Sequence, residues 1–215
     1  PKLTEEAREL MHGYNGHTKA VYIPNFLTRF PENVSAAVRE KTVLAAGRLT
    51  EVKRFDLLIE QFAHIHGREP EWMLRILGDG EDRAKLEEQI AKLGAGDYIT
   101  LTGRKNGDEV EHEMLSASIF AMSSRSEGFP FVLMEAQSCG LPIIAYDVRV
   151  GPGAVVHDGE DGVLIPEEER QQYEDKLCEL MDKPELREKM SANATAAIRE
   201  FSEEKVAEKW YEVIE

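Results

Sequence analysis

The chain has 215 residues, with 26 Lys and Arg against 41 Asp and Glu, so its formal charge is −15 at pH 7. A field that acidic repels phosphate backbones and excludes general nucleic-acid binding; a phosphate ligand would need a local basic pocket. Hydrophobic residues make up 42%, enough to bury a core, so the chain is neither disordered nor of low complexity.

Residues 1–17 are polar and helix-prone, 20–24 reads as a short strand stopped by Pro24, and 25–40 as a loop and linker. The apolar run 42–46 stops at Gly47 and is a buried strand by its length. The next helix carries Leu58, Phe62 and Ile65 on one face, at i, i+4 and i+7. Residues 72–77 form the following strand, closed by Gly78-Asp79-Gly80, and a charged helix striped by Leu86, Ile90 and Leu93 comes after it. Residues 98–101 read as a strand ending at Gly103, 108–115 as a short helix and 117–122 as a strand. A polar loop then leads to a helix from about Pro130 to Cys139. Strands at 142–146 and 162–165 follow, and helices over about 167–182, 184–199 and 203–214 close the chain. The strands are short and apolar throughout rather than alternating, so both faces are covered. The fold class is therefore α/β, a Rossmann-like, doubly wound parallel sheet. Ligands of such sheets sit outside the carboxyl ends of the strands, which points to the loops after Ala46, Leu77, Leu101, Met122 and Ala145.

After Ala46 comes Gly47-Arg48-Leu49-Thr50-Glu51-Val52-Lys53-Arg54. The glycine lets backbone approach a ligand. Arg48 and Lys53 flank a helix start, whose free N–H groups and partial positive charge suit phosphate. A solvated basic loop is the plainer alternative. Gly78-Asp79-Gly80-Glu81-Asp82-Arg83 begins like a dinucleotide fingerprint but lacks the third glycine. Its acids would repel a pyrophosphate, so it reads as a tight turn and an acidic helix start. In the segment 123–140, Pro130 suits the first helical position and Gly140 the stop. That helix is strongly apolar and expected to be buried, so Glu135, about one and a half turns in, needs hydrogen-bond donors. Glu127 precedes the helix at the mouth of the sheet. Together the two carboxylates suit a polyhydroxylated ligand; one salt bridge and one helix-dipole partner is the alternative.

The six histidines show no metal-ligand spacing, and 158–162 is a turn without the length of a calcium loop, so no metal is expected. Cys139 and Cys178 form no disulfide framework, which fits a reduced cytosolic protein. No apolar run approaches the roughly 18 residues of a membrane helix, and no signal peptide is visible. The sequons at Asn33 and Asn193 read as chance. A start at Pro1 reads as a piece of a longer polypeptide.

Gly47-Arg48-Leu49 with Lys53, then Glu127-Gly128-Phe129-Pro130, Glu135-Ala136 and Gly140-Leu141-Pro142-Ile143-Ile144-Ala145 resemble the donor-binding half of retaining glycosyltransferases of family 4. Those enzymes have the two-domain GT-B fold, and their Glu-(seven residues)-Glu pattern is met by Glu127 and Glu135. The resemblance runs from about Tyr22 to the C-terminus. Ala145-Tyr146-Asp147 with Gly151-Pro152 is similar to a bacterial subset that includes poly(glycerol-phosphate) glucosyltransferases and other surface-polysaccharide enzymes. The resemblance implies the C-terminal half of a GT-B fold. Residues 1–20 would be a remnant of, or linker from, the missing N-terminal acceptor domain. Residues 21–200 would bind the nucleotide sugar, and 201–215 would be a helix that packs back on the missing domain.

It also implies roles. Arg48 and Lys53 would neutralise the donor diphosphate, Glu135 would accept from the ribose hydroxyls, and Glu127 would face the donor sugar as the catalytic carboxylate. Gly47, Gly128, Phe129 and Pro130 would supply backbone near sugar and phosphate, with Gly103 and Arg104 beside the base. The implied donor is a nucleoside diphosphate sugar, UDP foremost. The acceptor, a glycan or cell-surface polymer, would be held by the missing half, which would also make any membrane contact from a cytoplasmic location. The nucleotide sugar is a substrate, so no cofactor is expected. This fragment alone would be inactive. On this division of roles, Glu127→Gln leaves UDP binding nearly unchanged. Family members commonly carry glycine after the lysine, where this chain has Arg54. The rival readings are a noncatalytic nucleotide-binding α/β module and a sugar-nucleotide epimerase-like domain.

Overall fold

Short runs of apolar residues leave water only if both faces find cover, and a sheet flanked by helices supplies it. The structure, a computed structural model, describes residues 23–32, 34, 39–148, 151–167 and 169–214. The strands are β1 (Thr42–Ala46), β2 (Met73–Leu77), β3 (Ile99–Gly103), β4 (Ile119–Met122), β5 (Ile143–Tyr146) and β6 (Gly162–Ile165). Among the described residues they form one parallel sheet of six strands in the order β3-β2-β1-β4-β5-β6. The helices are α1 (Phe55–Ile65), α2 (Arg83–Lys92), α3 (Gly107–Ser116), α4 (Phe131–Ser138), α5 (Arg170–Asp182), α6 (Pro184–Ala197) and α7 (Glu203–Ile214).

Alternation along each strand divides the core in two. Val43, Ala45, Ile119, Ala121 and Ile144 pack with Leu58 and Phe62 of α1 and Tyr173 and Leu177 of α5. Leu44, Phe120, Ile143 and Ala145 pack on the other face with Met114 of α3 and Leu133 and Met134 of α4. The sheet is thus doubly wound. The chain builds outward from β1 to β3, then returns to the other side of β1 for β4 to β6. Strand order reverses between β1 and β4, and the crevice at their carboxyl ends is where such sheets bind ligands.

Several boundaries move. Helix α3 starts one residue early because Asn106 and Glu109 form a capping box: the Glu109 N–H donates to the Asn106 side chain at 3.1 Å, and the Asn106 N–H to Glu109 Oε2 at 2.9 Å. Strand β3 runs through Gly103, and α5 begins at Arg170 rather than near 167. The expected helix 184–199 ends at Ala197 in a 3₁₀ turn, Ile198–Phe201. Pro130 is not the first helical residue but the capping residue before it, with φ −82° and ψ 85°. The expected strand at 20–24 lies mostly outside the described residues; Ile23 and Pro24 belong to no regular element. The helix-prone stretch 1–17 lies wholly outside them. In α7, Val206 is buried, while Trp210 and Val213 of the same stripe are 52% and 46% exposed. No helix among the described residues is long and apolar enough to cross a membrane.

Candidate functional site

Three loops continue the hydrogen-bond ladder beyond the carboxyl ends of β1, β2 and β3. Gly47 N–H donates to Leu77 O at 2.9 Å, Gly78 N–H to Gly103 O at 2.9 Å, Leu49 N–H to Asp79 O at 3.0 Å, and Asp82 N–H to Leu49 O at 3.1 Å. Backbone therefore stacks directly on backbone, which explains the two glycines of the Gly78-Asp79-Gly80 turn. A Cβ on Gly78, whose φ is +136°, would overlap the Gly47 carbonyl, and one on Gly80 would lie 2.8 Å from Leu49 N and C. The sequence reading found the turn but not this reason for it.

The β1 loop then makes a 3₁₀ turn, Glu51–Lys53, and enters α1 through Arg54, whose φ of 50° and ψ of 40° are left-handed. This is the conformation glycine adopts without strain. The departure at Arg54 therefore leaves the glycine-type backbone in place. The β4 loop clamps the β1 loop: Ser123 Oγ–H donates to Lys53 O at 2.8 Å, and Arg125 N–H to Val52 O at 2.9 Å. From the β5 side, Gly151 (φ +128°) abuts Glu127 so closely that a Cβ there would lie 2.6 Å from the Glu127 Cβ.

These loops enclose a cavity of about 770 Å³ at the β1/β4 reversal. Gly47, Arg48, Lys53, Arg104, Glu127, Phe129, Pro130 and Glu135 all line it. Sequence reasoning had singled out each of them. Gly103, the last residue of β3, and the exposed Gly128 are outside its lining. Asp79, Lys105 and Phe131 line it as well, and the sequence reading did not propose them. Lys105 was visible as a second cation beside Arg104; its Nζ lies 3.3 Å from Glu113 Oε1. Another cavity, about 810 Å³, opens at the opposite end of the sheet. Its arginines are already engaged. Arg39 donates to Ala117 O at 2.8 Å and Cys139 O at 2.6 Å, tying the ends of α3 and α4. Arg187 donates to Leu180 O and Met181 O, and Arg199 lies over the Phe30 ring. The cavity at the reversal is therefore the candidate.

Within it the charges are arranged unequally. Arg48 is 74% exposed, and among the described residues its ion pair is with Glu81 alone, at 3.7 Å, so its guanidinium is available. Lys53 is sheltered, and its Nζ lies 2.6 Å from Glu127 Oε1, with the two side chains 21% and 11% exposed. Glu135 corrects an expectation. It does not lie in the core with donors around it; it is exposed on the cavity face of α4, one turn after the exposed Phe131. Its carboxylate makes no hydrogen bond or ion pair among the described residues; only its backbone carbonyl accepts, from Ser138 Oγ–H at 2.8 Å and Cys139 N–H at 3.1 Å. The cavity wall nevertheless strips away enough water to raise its carboxyl above the ordinary value. Among the described residues no cluster of three or more His, Cys, Asp or Glu is placed to hold a metal ion.

Residues 28–197 match the family described as glycosyl transferases group 1. An uncharacterized glycosyltransferase of Haemophilus influenzae is 30% identical over 208 residues, which cover 97% of this chain and 58% of that protein. The GtfA subunit of a UDP-N-acetylglucosamine–peptide N-acetylglucosaminyltransferase from Streptococcus parasanguinis is 34% identical over 209 residues, covering 93% of this chain and 40% of that protein. Among solved structures, the pneumococcal O-GlcNAc transferase GtfA in complex with UDP and GlcNAc superposes with a TM-score of 0.82 at 29% identity, over 99% of this chain and 43% of that one. The chain thus spans about half the length of these relatives, or less.

Proposed function

The chain belongs to the group 1 glycosyl transferases, and we propose that its cavity binds the nucleoside diphosphate sugar from which a retaining hexosyl transfer proceeds. The observation that carries this reading is the meeting of Arg48, Lys53, Glu127 and Glu135 in one cavity at the strand-order reversal. Arg48 and Lys53 neutralise the diphosphate, and so stabilise it as a leaving group while charge develops on it. The N-terminal end of α4, with Gly128, Phe129 and Pro130, brings backbone to the phosphate and sugar. Glu135 accepts from the ribose hydroxyls, and Glu127 serves as the catalytic carboxylate facing the sugar. Gly47 keeps backbone close, and the base lies by Gly103 and Arg104. UDP is the proposed nucleotide, supported by the UDP named in the pneumococcal complex.

On the same reading, residues 1–20 and 201–215 connect to an acceptor-binding half. The uncovered Trp210 and Val213 stripe supports that connection. The acceptor would be a glycan or cell-surface polymer, the location cytoplasmic, and the chain alone would bind donor without turnover, because transfer needs donor and acceptor in reacting geometry. Calorimetric titration with UDP, ADP, GDP and uridine tests the reading. UDP binds well above uridine and is weakened by salt. Equal affinity for UDP and uridine refutes it.

A further inference from the structure

Resting on that donor-site reading, we infer that Lys53 and Glu127 act as each other's placeholder: the donor diphosphate takes Lys53 away from Glu127 and so frees the carboxylate for the sugar. The two lie 2.6 Å apart in the cavity, both largely sheltered from water. Each is a group that the donor needs, and neither meets the donor until their pair opens. The two ends of the pair differ in freedom. Glu127 has its Cβ against the Gly151 backbone, which stands too close to admit a side chain there. Lys53 has its backbone pinned through its carbonyl by Ser123, yet its side chain has four rotatable bonds, and its Cδ and Cε lie along the open backbone of Gly47. Lysine is therefore the partner that swings, toward the loop where Arg48 already stands exposed.

Pairing also answers a problem of charge. A lone carboxylate this sheltered would be costly, and a lone ammonium likewise, so the cavity holds them as a neutral pair. A diphosphate brings two or more negative charges against the one of Glu127 and wins the lysine. The carboxylate left behind is uncompensated unless a hydroxyl donates to it, and the donor sugar supplies hydroxyls at that point. Nucleotide binding without sugar thus carries a cost that the complete donor avoids.

The consequence reverses the simple expectation that Glu127 is silent toward UDP. Removing its charge removes the competitor for Lys53. Titration of the chain with UDP should show Glu127→Gln binding about three- to tenfold tighter than the parent, a range set by what a sheltered ion pair contributes beyond an exposed one. Lys53→Met should bind UDP more weakly, and in a Lys53→Met background the gain from Glu127→Gln should largely vanish. The thermal melting curve of each variant without ligand confirms that it is folded. If Lys53→Met weakens UDP while Glu127→Gln leaves it unchanged or weakens it, the placeholder is refuted and the donor site stands. If Glu127→Gln gains as much without Lys53 as with it, plain repulsion explains the gain and the placeholder is again refuted. If neither Lys53→Met nor Arg48→Met alters UDP binding, the donor site itself is wrong.

Discussion

Arg54 offers a direct measure of strain at the entrance to the site. It is the single non-glycine residue with positive φ among the described residues. A left-handed conformation costs an L-residue roughly 1–2 kcal/mol. Glycine avoids that cost but gives back roughly 0.5–1 kcal/mol through its greater freedom in the unfolded chain. The Arg54 side chain sits in a charged surface groove with Glu51, Asp56 and Glu60, where losing it shifts stability by no more than about 0.5 kcal/mol. That loss is common to Arg54→Gly and Arg54→Ala, so comparing the two variants isolates the backbone term. Arg54→Gly should be more stable than Arg54→Ala by about 0.5–1 kcal/mol, or roughly 1–4 °C in Tm for a chain of this size. Chemical denaturation of both variants, with thermal melting in parallel, reads the difference. UDP affinity of the glycine variant should stay within about twofold of the parent, because the loop already has the glycine-type geometry. A glycine variant less stable than the alanine variant would show that the turn after Lys53 is not left-handed in solution.

Three further variants probe the loop packing and the cavity. Gly80→Ala drives a Cβ into the Leu49 backbone, which cannot yield as a side chain tip can, so it should cost about 2–3 kcal/mol and weaken UDP binding; Gly96→Ala, with nothing within 4 Å of its Cβ, should be neutral or slightly stabilising in the same denaturation assay. Desolvation holds the Glu135 carboxyl above its ordinary value, so the folded chain binds that proton more tightly than the unfolded chain does, and stability falls as pH rises from about 4 through the raised value. Glu135→Gln should therefore be more stable than the parent near pH 7 and lose that advantage by about pH 4. An advantage of equal size at both pH values would refute the desolvated carboxylate.

The fold was legible because its central strands β1, β4 and β5 are short, largely apolar runs that permit only one environment. After Thr42 the run 43–46 carries only apolar side chains, and Val43, Leu44 and Ala45 are fully buried. Such strands, separated by helices that present one apolar stripe, lead to a parallel sheet covered twice. The cations of the β1 loop were legible for the opposite reason, since Arg48 and Lys53 stand out in a chain of charge −15. Glu135 was misplaced because the composition of α4 was read without its period. Positions 131 and 135 share a helical face, and that face is the one turned to the cavity. The reason for Gly78 and Gly80 lay in the path of a different loop, the Gly47–Leu49 backbone that they must approach.

The Lys53–Glu127 pair was out of reach of any local pattern, because its members are 74 residues apart in sequence and meet only once β1 and β4 lie side by side. Their pairing nevertheless follows from a constraint that sequence reasoning did possess. Charged groups sheltered from water must be compensated. A sheltered cation and a sheltered anion that meet in one cavity compensate each other before a ligand arrives, as Lys53 and Glu127 do at 2.6 Å. Lys53 on phosphate and Glu127 on sugar describe the site with donor bound; applying the same rule before donor binds leads to the ion pair, and from it to a carboxylate whose first partner is the lysine that the diphosphate must claim.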